Sequence, residues 1–357
     1  MTNNIYCKAP WVSVSYMPGG KFAPCCQWRG EYFDSQAEMT QVVGDQFLQN
    51  QVPTECSTCP ANAPGWRNVF DEFETDYKTS SVQFLDFRNN NMCNLKCRSC
   101  GPSFSTSWAS EADNSVIHLF DRTNIDDIDL SNCKKIYFAG GEPLLNPQHY
   151  ELLEKLIKQN LNPQLMYSTN MTVTGYKDLA VKDYWPHFEH INIHASIDAV
   201  GPATAVVRSG SDWETVEQTL NWIRSLPNTQ LRLATVISAI NIWWIADLFE
   251  YFKWIKHNEF RPVLAHVTGR EGLGLINRKY RNPLINSLKI SKFRDHPIIV
   301  DSIRALETVD NSVKWDKFLA SQLILDNYRN EKWFDLLPIK QQVYDDLIHN
   351  GKTQHTE

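Results

Sequence analysis

The sequence predicts an α/β fold, a partial (β/α)6 barrel with a small N-terminal cysteine-rich metal-cluster domain before it and a helical C-terminal region after it. Three observations predict it. Six strand-like segments alternate with helical ones between residues 80 and 270. Such a series argues a parallel sheet with right-handed crossovers, doubly wound or curled toward a barrel. In one of those strands, polar residues share a face. The nine cysteines are grouped, with five in residues 7–59, three in 93–100 and Cys133 alone.

The strands are SVQFLDFR (81–88), KKIYFAG (134–140), QLMYST (164–169), HINIHASID (190–198), QLRLATVI (230–237) and RPVLAHVT (261–268). Most are rich in β-branched or aromatic residues and end in polar or glycine signals. Between them PQHYELLEKLIKQN repeats apolar residues at Leu152, Leu153, Leu156 and Ile157. SDWETVEQTLNWIRSL opens on a Ser-Asp cap signal and carries Trp213, Val216, Leu220 and Ile223 at helical spacing. IWWIADLFEYFKWI is a further helix.

The fourth strand selects the open barrel. Ile191, Ile193, Ala195 and Ile197 fall on one face, and Asn192, His194, Ser196 and Asp198 on the other. A filled barrel interior would not accept the polar face, so the hollow holds a polar ligand. By the same alternation Asp86, Arg88, His194, Asp198 and His266 line that interior. Each could exchange a proton with a reaction intermediate. The competing reading is a satisfied polar residue that orients a neighbour. The domains read as 1–79, 80–270 and 271–357.

Composition is that of an ordinary globular chain, 42% hydrophobic and 21% charged over 357 residues. A net charge of −6 gives no basic footprint for bulk nucleic-acid binding. No apolar run approaches the roughly 18 residues of a membrane span. The N-terminus lacks a basic start and an apolar core, so a cytoplasmic location is expected. Cysteines in a reducing compartment are metal ligands before they are disulfides.

CNLKCRSC, directly after the first strand, sets Cys93, Cys97 and Cys100 in C-x3-C-x2-C spacing. The carboxyl end of a strand is where parallel barrels place their active sites. Three thiolates leave one iron of a cubane cluster open. GGEPLL follows the second strand and STN ends the third. Together these motifs resemble the radical S-adenosylmethionine (SAM) superfamily over about residues 80–270.

The resemblance implies that Cys93, Cys97 and Cys100 hold a 4Fe–4S cluster whose fourth ligand is SAM. It implies that Gly140, Gly141 and Glu142 meet the methionine amino group, with Pro143 fixing the turn. Ser168 and Asn170 would bond the ribose, and Ser196 and Arg208 the SAM carboxylate. Ser99 stands where the family usually has a larger residue. The implied reaction is reductive cleavage of SAM to a 5′-deoxyadenosyl radical, which abstracts hydrogen from a substrate. A low-potential electron donor such as flavodoxin or ferredoxin is implied as partner.

The N-terminal group, Cys7, then Gly20 and Cys25, then Cys56 and Cys59, resembles a twitch domain, the shortened relative of the SPASM domain. That resemblance implies a second, auxiliary 4Fe–4S cluster on Cys7, Cys25, Cys56 and Cys59. Cys26 either replaces Cys25 or is a packed thiol, and a structural zinc site is the alternative occupant. Twitch and SPASM enzymes often modify peptides, so a peptide or protein side chain is the expected substrate. A small molecule or an RNA nucleotide is the alternative. A third reading is a cluster-bearing electron carrier or binding protein, which would need no SAM motifs.

Overall fold

The computed structural model describes residues 6–57, 59, 66–111, 126, 128–255, 260–264 and 271–345. Its strands are β1 (Ser13–Met17), β2 (Lys21–Ala23), β3 (Phe84–Phe87), β4 (Lys135–Phe138), β5 (Gln164–Thr169), β6 (Ile191–Ser196), β7 (Thr229–Ile237) and β8 (Phe260–Leu264). Its longer helices are α1 (Pro147–Lys158), α2 (Pro202–Val207), α3 (Trp213–Ser225), α4 (Ile245–Tyr251), α5 (Arg278–Ile290), α6 (Pro297–Thr308) and α7 (Trp315–Arg329). The single turn α8 spans Trp333–Leu336. The chain forms two compact units. One holds Met1–Asn94, Gly101–Ala195 and Gln218–Leu231, and the other Leu95–Cys100, Ser196–Glu217 and Arg232–Glu357.

The first unit is built on a mostly parallel sheet in the order β6-β5-β4-β3-β1-β2, with only β2 antiparallel. In β4 and β5 every second residue is buried, which puts Ile136, Phe138, Leu165 and Tyr167 on the core face. Ile191, Ile193 and Ala195 of β6 join them, as their alternation predicts. Helix α1 covers that face with Leu152, Leu153 and Leu156. It starts at Pro147, and the Asn146 side chain caps it by accepting from Gln148 N at 3.0 Å.

The expected boundary at residues 79/80 does not separate two units. Ser13–Tyr16 pair in parallel with Phe84–Phe87, register Ser15↔Asp86, so the N-terminal segment extends the sheet that β3 begins. The reason is physical. The open side of β3 carries unpaired main-chain groups. The SVSY run, with Val14 and Tyr16 buried, supplies a partner strand. Gly19 and Gly20, at φ 78° and 69°, then turn the chain back into β2. The stretch before β1 is a helical turn at Ala9–Val12. Trp11, Val12, Val43, Phe47, Phe70 and Phe84 pack together beside it.

In the second unit β8 pairs in parallel with β7, register Phe260↔Leu233. Arg281 on α5 is buried and donates to the carbonyls of Gly274, Ile276, Leu306 and Val309, which ties α5 to the end of α6. The stretch IWWIADLFEYFKWI is shorter as a helix than its pattern suggests. Ile242–Trp244 form a 3-10 turn, and only Ile245–Tyr251 are α-helical. Among the described residues no helix is long and apolar enough to cross a membrane.

His149 on α1 sits in an aromatic box. Its ring lies 4.7 Å from Phe138 and 4.5 Å from Tyr150, and Nε2 is 2.8 Å from Tyr167 Oη. Burial pushes its pKa down from 6.5 to about 3. The native state therefore prefers the neutral ring, and the unfolded chain takes up the proton first. Stability present above pH 6.5 is lost as pH falls toward 3. We expect His149→Gln to be less stable than wild type at pH 7.5, with the gap closing between pH 6.5 and pH 4. Urea midpoints across that range measure it, and a gap independent of pH would refute the assignment.

Candidate active site

The first unit places the glycine turn against the loop that leads into Cys93. Gly140 and Gly141 have φ of 81° and 50°. A Cβ on Gly141 would lie 2.1 Å from Met92 O, and one on Gly140 3.0 Å from Asn90 O. Only glycine permits both the conformation and the approach. Glu142 N then donates to Met92 O at 2.5 Å. The Glu142 carboxylate is almost wholly buried. Its Oε1 accepts from Leu144 N at 3.2 Å and its Oε2 from Asn170 N at 2.7 Å. Glu142 thus ties the end of β4 to the end of β5.

Asn170 supports the first cysteine. Its Nδ2 is 2.9 Å from Asn94 Oδ1 and 3.9 Å from Cys93 Sγ, while Oδ1 accepts from Thr172 N at 2.9 Å. The Cys93 carbonyl accepts from Ser107 Oγ at 2.7 Å. Ser168 shares a 2.6 Å hydrogen bond with Tyr137 Oη.

The second unit holds Cys97 and Cys100, with Cys100 N donating to Cys97 O at 3.0 Å. Arg208 Nη1 is 3.9 Å from Cys97 Sγ, and Nη2 pairs with Asp198 Oδ2 at 2.8 Å. Asp198 is 2% exposed, and its Oδ1 accepts from Val236 N at 2.8 Å. Its place is behind Arg208, as an orienting partner. Ser196 is the last residue of β6.

Asp86 and His194 belong to the first unit. Arg88 grips Asp86 with a two-pronged bond, Nε to Oδ1 at 2.8 Å and Nη2 to Oδ2 at 2.7 Å. Ser15 Oγ lies 3.4 Å from the same carboxylate. Burial pushes the Asp86 carboxyl up from its ordinary value, against the pull of Arg88. The His194 ring is 6.2 Å from that of Tyr137. His266 lies outside the described residues.

Cys7, Cys25, Cys56 and Cys59 line one cavity, walled also by Val43, Phe47 and Phe70. Burial pushes the Cys7, Cys25 and Cys56 thiols up to about 12. Four thiols line this largely apolar cavity with Arg67 beside them, one accepting from Ala9 N at 3.4 Å, and thiols are the ligand type of iron–sulfur clusters. Among the described residues no three Cys, His, Asp or Glu side chains stand as a set for a single metal ion. Cys26 does not line the cavity; its thiol accepts from Gln27 Nε2 at 3.8 Å and interacts electrostatically with Asp86. Cys133 is packed at the start of β4, 3.4 Å from Lys135 O.

The sequence singled out the cysteines and the glycine turn. It missed three things: the Asn94–Asn170 contact, the place of Asp198 behind Arg208, and Arg98. Only Arg98 had a signal, a charged residue enclosed between Cys97 and Cys100.

Residues 90–251 match the model of the Radical SAM superfamily. The matched segment contains all three cysteines of CNLKCRSC and the GGEP turn. The chain is 26% identical over 218 residues to GTP 3′,8-cyclase of Helicobacter pylori, covering 56% of this chain and 64% of the relative's length. Two solved structures are similar at lower identity. One is native anSMEcpe with bound AdoMet and Cp18Cys peptide, at 15% identity and a TM-score of 0.39, over 59% of this chain and 60% of that one. The other is TYW1 with a lysine-pyruvate adduct, at 13% and 0.32, over 58% and 73%.

Gly141→Ala should destabilise the protein by about 2 kcal/mol or more, through a strained φ and the collision with Met92 O. Thermal unfolding measures it. A melting temperature equal to wild type would mean that the turn and the Met92 loop do not touch.

Proposed function

We propose that the protein is a radical SAM enzyme that abstracts hydrogen from a polar substrate. A 4Fe–4S cluster would be held by Cys93, Cys97 and Cys100, with SAM as its fourth ligand. The supporting observation is the join between the Gly140–Glu142 turn and Met92, the residue before Cys93. When bound, the cluster and SAM supply a 5′-deoxyadenosyl radical, given one electron from a low-potential donor such as flavodoxin or ferredoxin.

The chain's own residues bind and orient. Gly140 and Gly141 offer main-chain carbonyls to the SAM ammonium, and Glu142 its carboxylate. Ser168 and Asn170 face the ribose. Ser196 and Arg208 face the methionine carboxylate, and Asp198 fixes the plane of the Arg208 guanidinium. On the polar face of the sheet Asp86, held by Arg88, and His194 hold or move a proton at the substrate.

The substrate we first infer is a peptide or protein side chain. A small molecule is the second reading, favoured by the curated relative, whose name gives GTP as its substrate. We also assign an auxiliary 4Fe–4S cluster to Cys7, Cys25, Cys56 and Cys59. The four-cysteine cavity supports that assignment, and zinc is the competing occupant.

Anaerobic reconstitution with iron and sulfide, then SAM and dithionite, tests these readings. About eight irons per chain and release of 5′-deoxyadenosine are expected. Deoxyadenosine that persists in the Cys93→Ala/Cys97→Ala/Cys100→Ala variant would sink the main proposal. About four irons with one zinc would remove the auxiliary cluster alone. Cys25→Ala should cost about half the iron, and Cys26→Ala none. Equal losses in the two variants would contradict the assignment of Cys25.

A further inference from the structure

Arg98 stands between the second and third cysteines of CNLKCRSC, and its side chain is completely buried. A guanidinium carries five N–H donors. All five are engaged. Nε donates to Val206 O at 2.7 Å. Nη1 donates to Gln322 O at 3.2 Å and Gln322 Oε1 at 3.1 Å. Nη2 pairs with Asp326 Oδ1 and, at 2.7 Å, with Glu331 Oε2. The Trp333 ring lies 5.6 Å from Cζ.

The main chain around Arg98 is held from the same side. Arg98 N donates to Val207 O at 3.0 Å and Lys96 N to Ser209 O at 2.8 Å. Arg329 Nη1 donates to Lys96 O at 2.8 Å and Ser209 Oγ at 3.1 Å. Ser209 Oγ in turn donates to Glu331 Oε2 at 3.0 Å. Asp326 also accepts from Trp333 N at 3.1 Å and Phe334 N at 3.0 Å, which fixes α8 to α7. The Arg98 guanidinium thus meets two carboxylates, and Arg329 holds the neighbouring Lys96 carbonyl and Ser209 hydroxyl. A buried cation is tolerated only when it is paired and fully hydrogen-bonded. Gln322, Asp326, Arg329, Glu331 and Trp333 all follow the segment 90–251 that matches the superfamily.

We propose that Arg98 is a positioning residue: with Asp326, Glu331 and Arg329 it locks the Leu95–Cys100 segment onto α7 and α8, and so sets Cys97 and Cys100 for the cluster. This rests on the reading of those cysteines as cluster ligands. It gives the C-terminal helices a part in the site. Truncating or loosening them would disturb two thiolates without touching either one. A purely stabilising role would lower global stability and leave the local opening of the loop and the spectrum of the cluster unchanged.

The test uses the full-length chain with Arg329→Met, a change at the rim of the network, and with Arg98→Lys, which keeps the charge and loses the fork. Before reconstitution, hydrogen exchange is followed by mass spectrometry. Peptides covering residues 95–100 should exchange at least about tenfold faster in Arg329→Met, and those covering α1 at the wild-type rate. After reconstitution and reduction, the electron paramagnetic resonance signal is titrated with SAM. Arg329→Met should need about fivefold more SAM for the wild-type shift, and Arg98→Lys more again. Wild-type exchange together with a wild-type SAM titration in Arg329→Met overturns the proposal. A wild-type chain that takes up no iron on Cys93, Cys97 and Cys100 overturns the cluster reading, and the proposed role with it, whatever the exchange rates.

Discussion

Glu142 is the constraint on which the candidate site of the first unit depends. A carboxylate that is 1% exposed requires strong partners, and here they are main-chain N–H groups from two different loops. By accepting from Asn170 N it fixes the end of β5 relative to the end of β4. By donating its own N–H to Met92 O it fixes the loop into Cys93. The two glycines before it are the steric condition for that second contact. The motif therefore acts first as a joint between three strand ends. Any ligand it binds meets a surface already set.

The parts of this arrangement that the sequence displays are those encoded over short distances. The two faces of β6 follow from a period of two, and the cap of α1 follows from Asn146-Pro147. The glycine turn is visible because left-handed backbone needs glycine. What stayed hidden is non-local. Nothing in SVSYM says that its partner is β3, nearly 70 residues away, rather than a strand of its own small domain. The cysteines there suggested separateness, but cysteine content reports on ligation and not on strand pairing. Asp198 looked like an interior proton carrier by alternation. It lies just past the end of β6, where the period no longer governs direction.

Among the N-terminal cysteines, adjacent residues are separated by environment. Cys25 faces the apolar cavity with Cys7, Cys56 and Cys59, and Cys26 turns to Asp86. The two residues lie in a turn after β2, closed by Trp28 N donating to Cys25 O at 3.2 Å, so a single Cys-Cys pair serves two places. Burial is the largest cause of the raised Cys7, Cys25 and Cys56 thiols; neighbouring thiols add to it, and Arg67 in the same cavity only partly offsets it at Cys7. A bound metal centre would favour the thiolates and release the protons.

Donor arithmetic separates the arginines by role. Arg98 satisfies all five of its N–H groups within the protein, so it has nothing to offer a ligand, and its function is to hold the loop. Arg88 differs. Nε and Nη2 are bound to Asp86, and among the described residues Nη1 has no hydrogen-bond partner. Its side chain is 24% exposed, so that edge is open to a ligand. Asp86 neutralises the guanidinium and fixes its plane, which leaves a directional donor pair with little net charge. Such a group recognises a polar acceptor by geometry more than by long-range attraction.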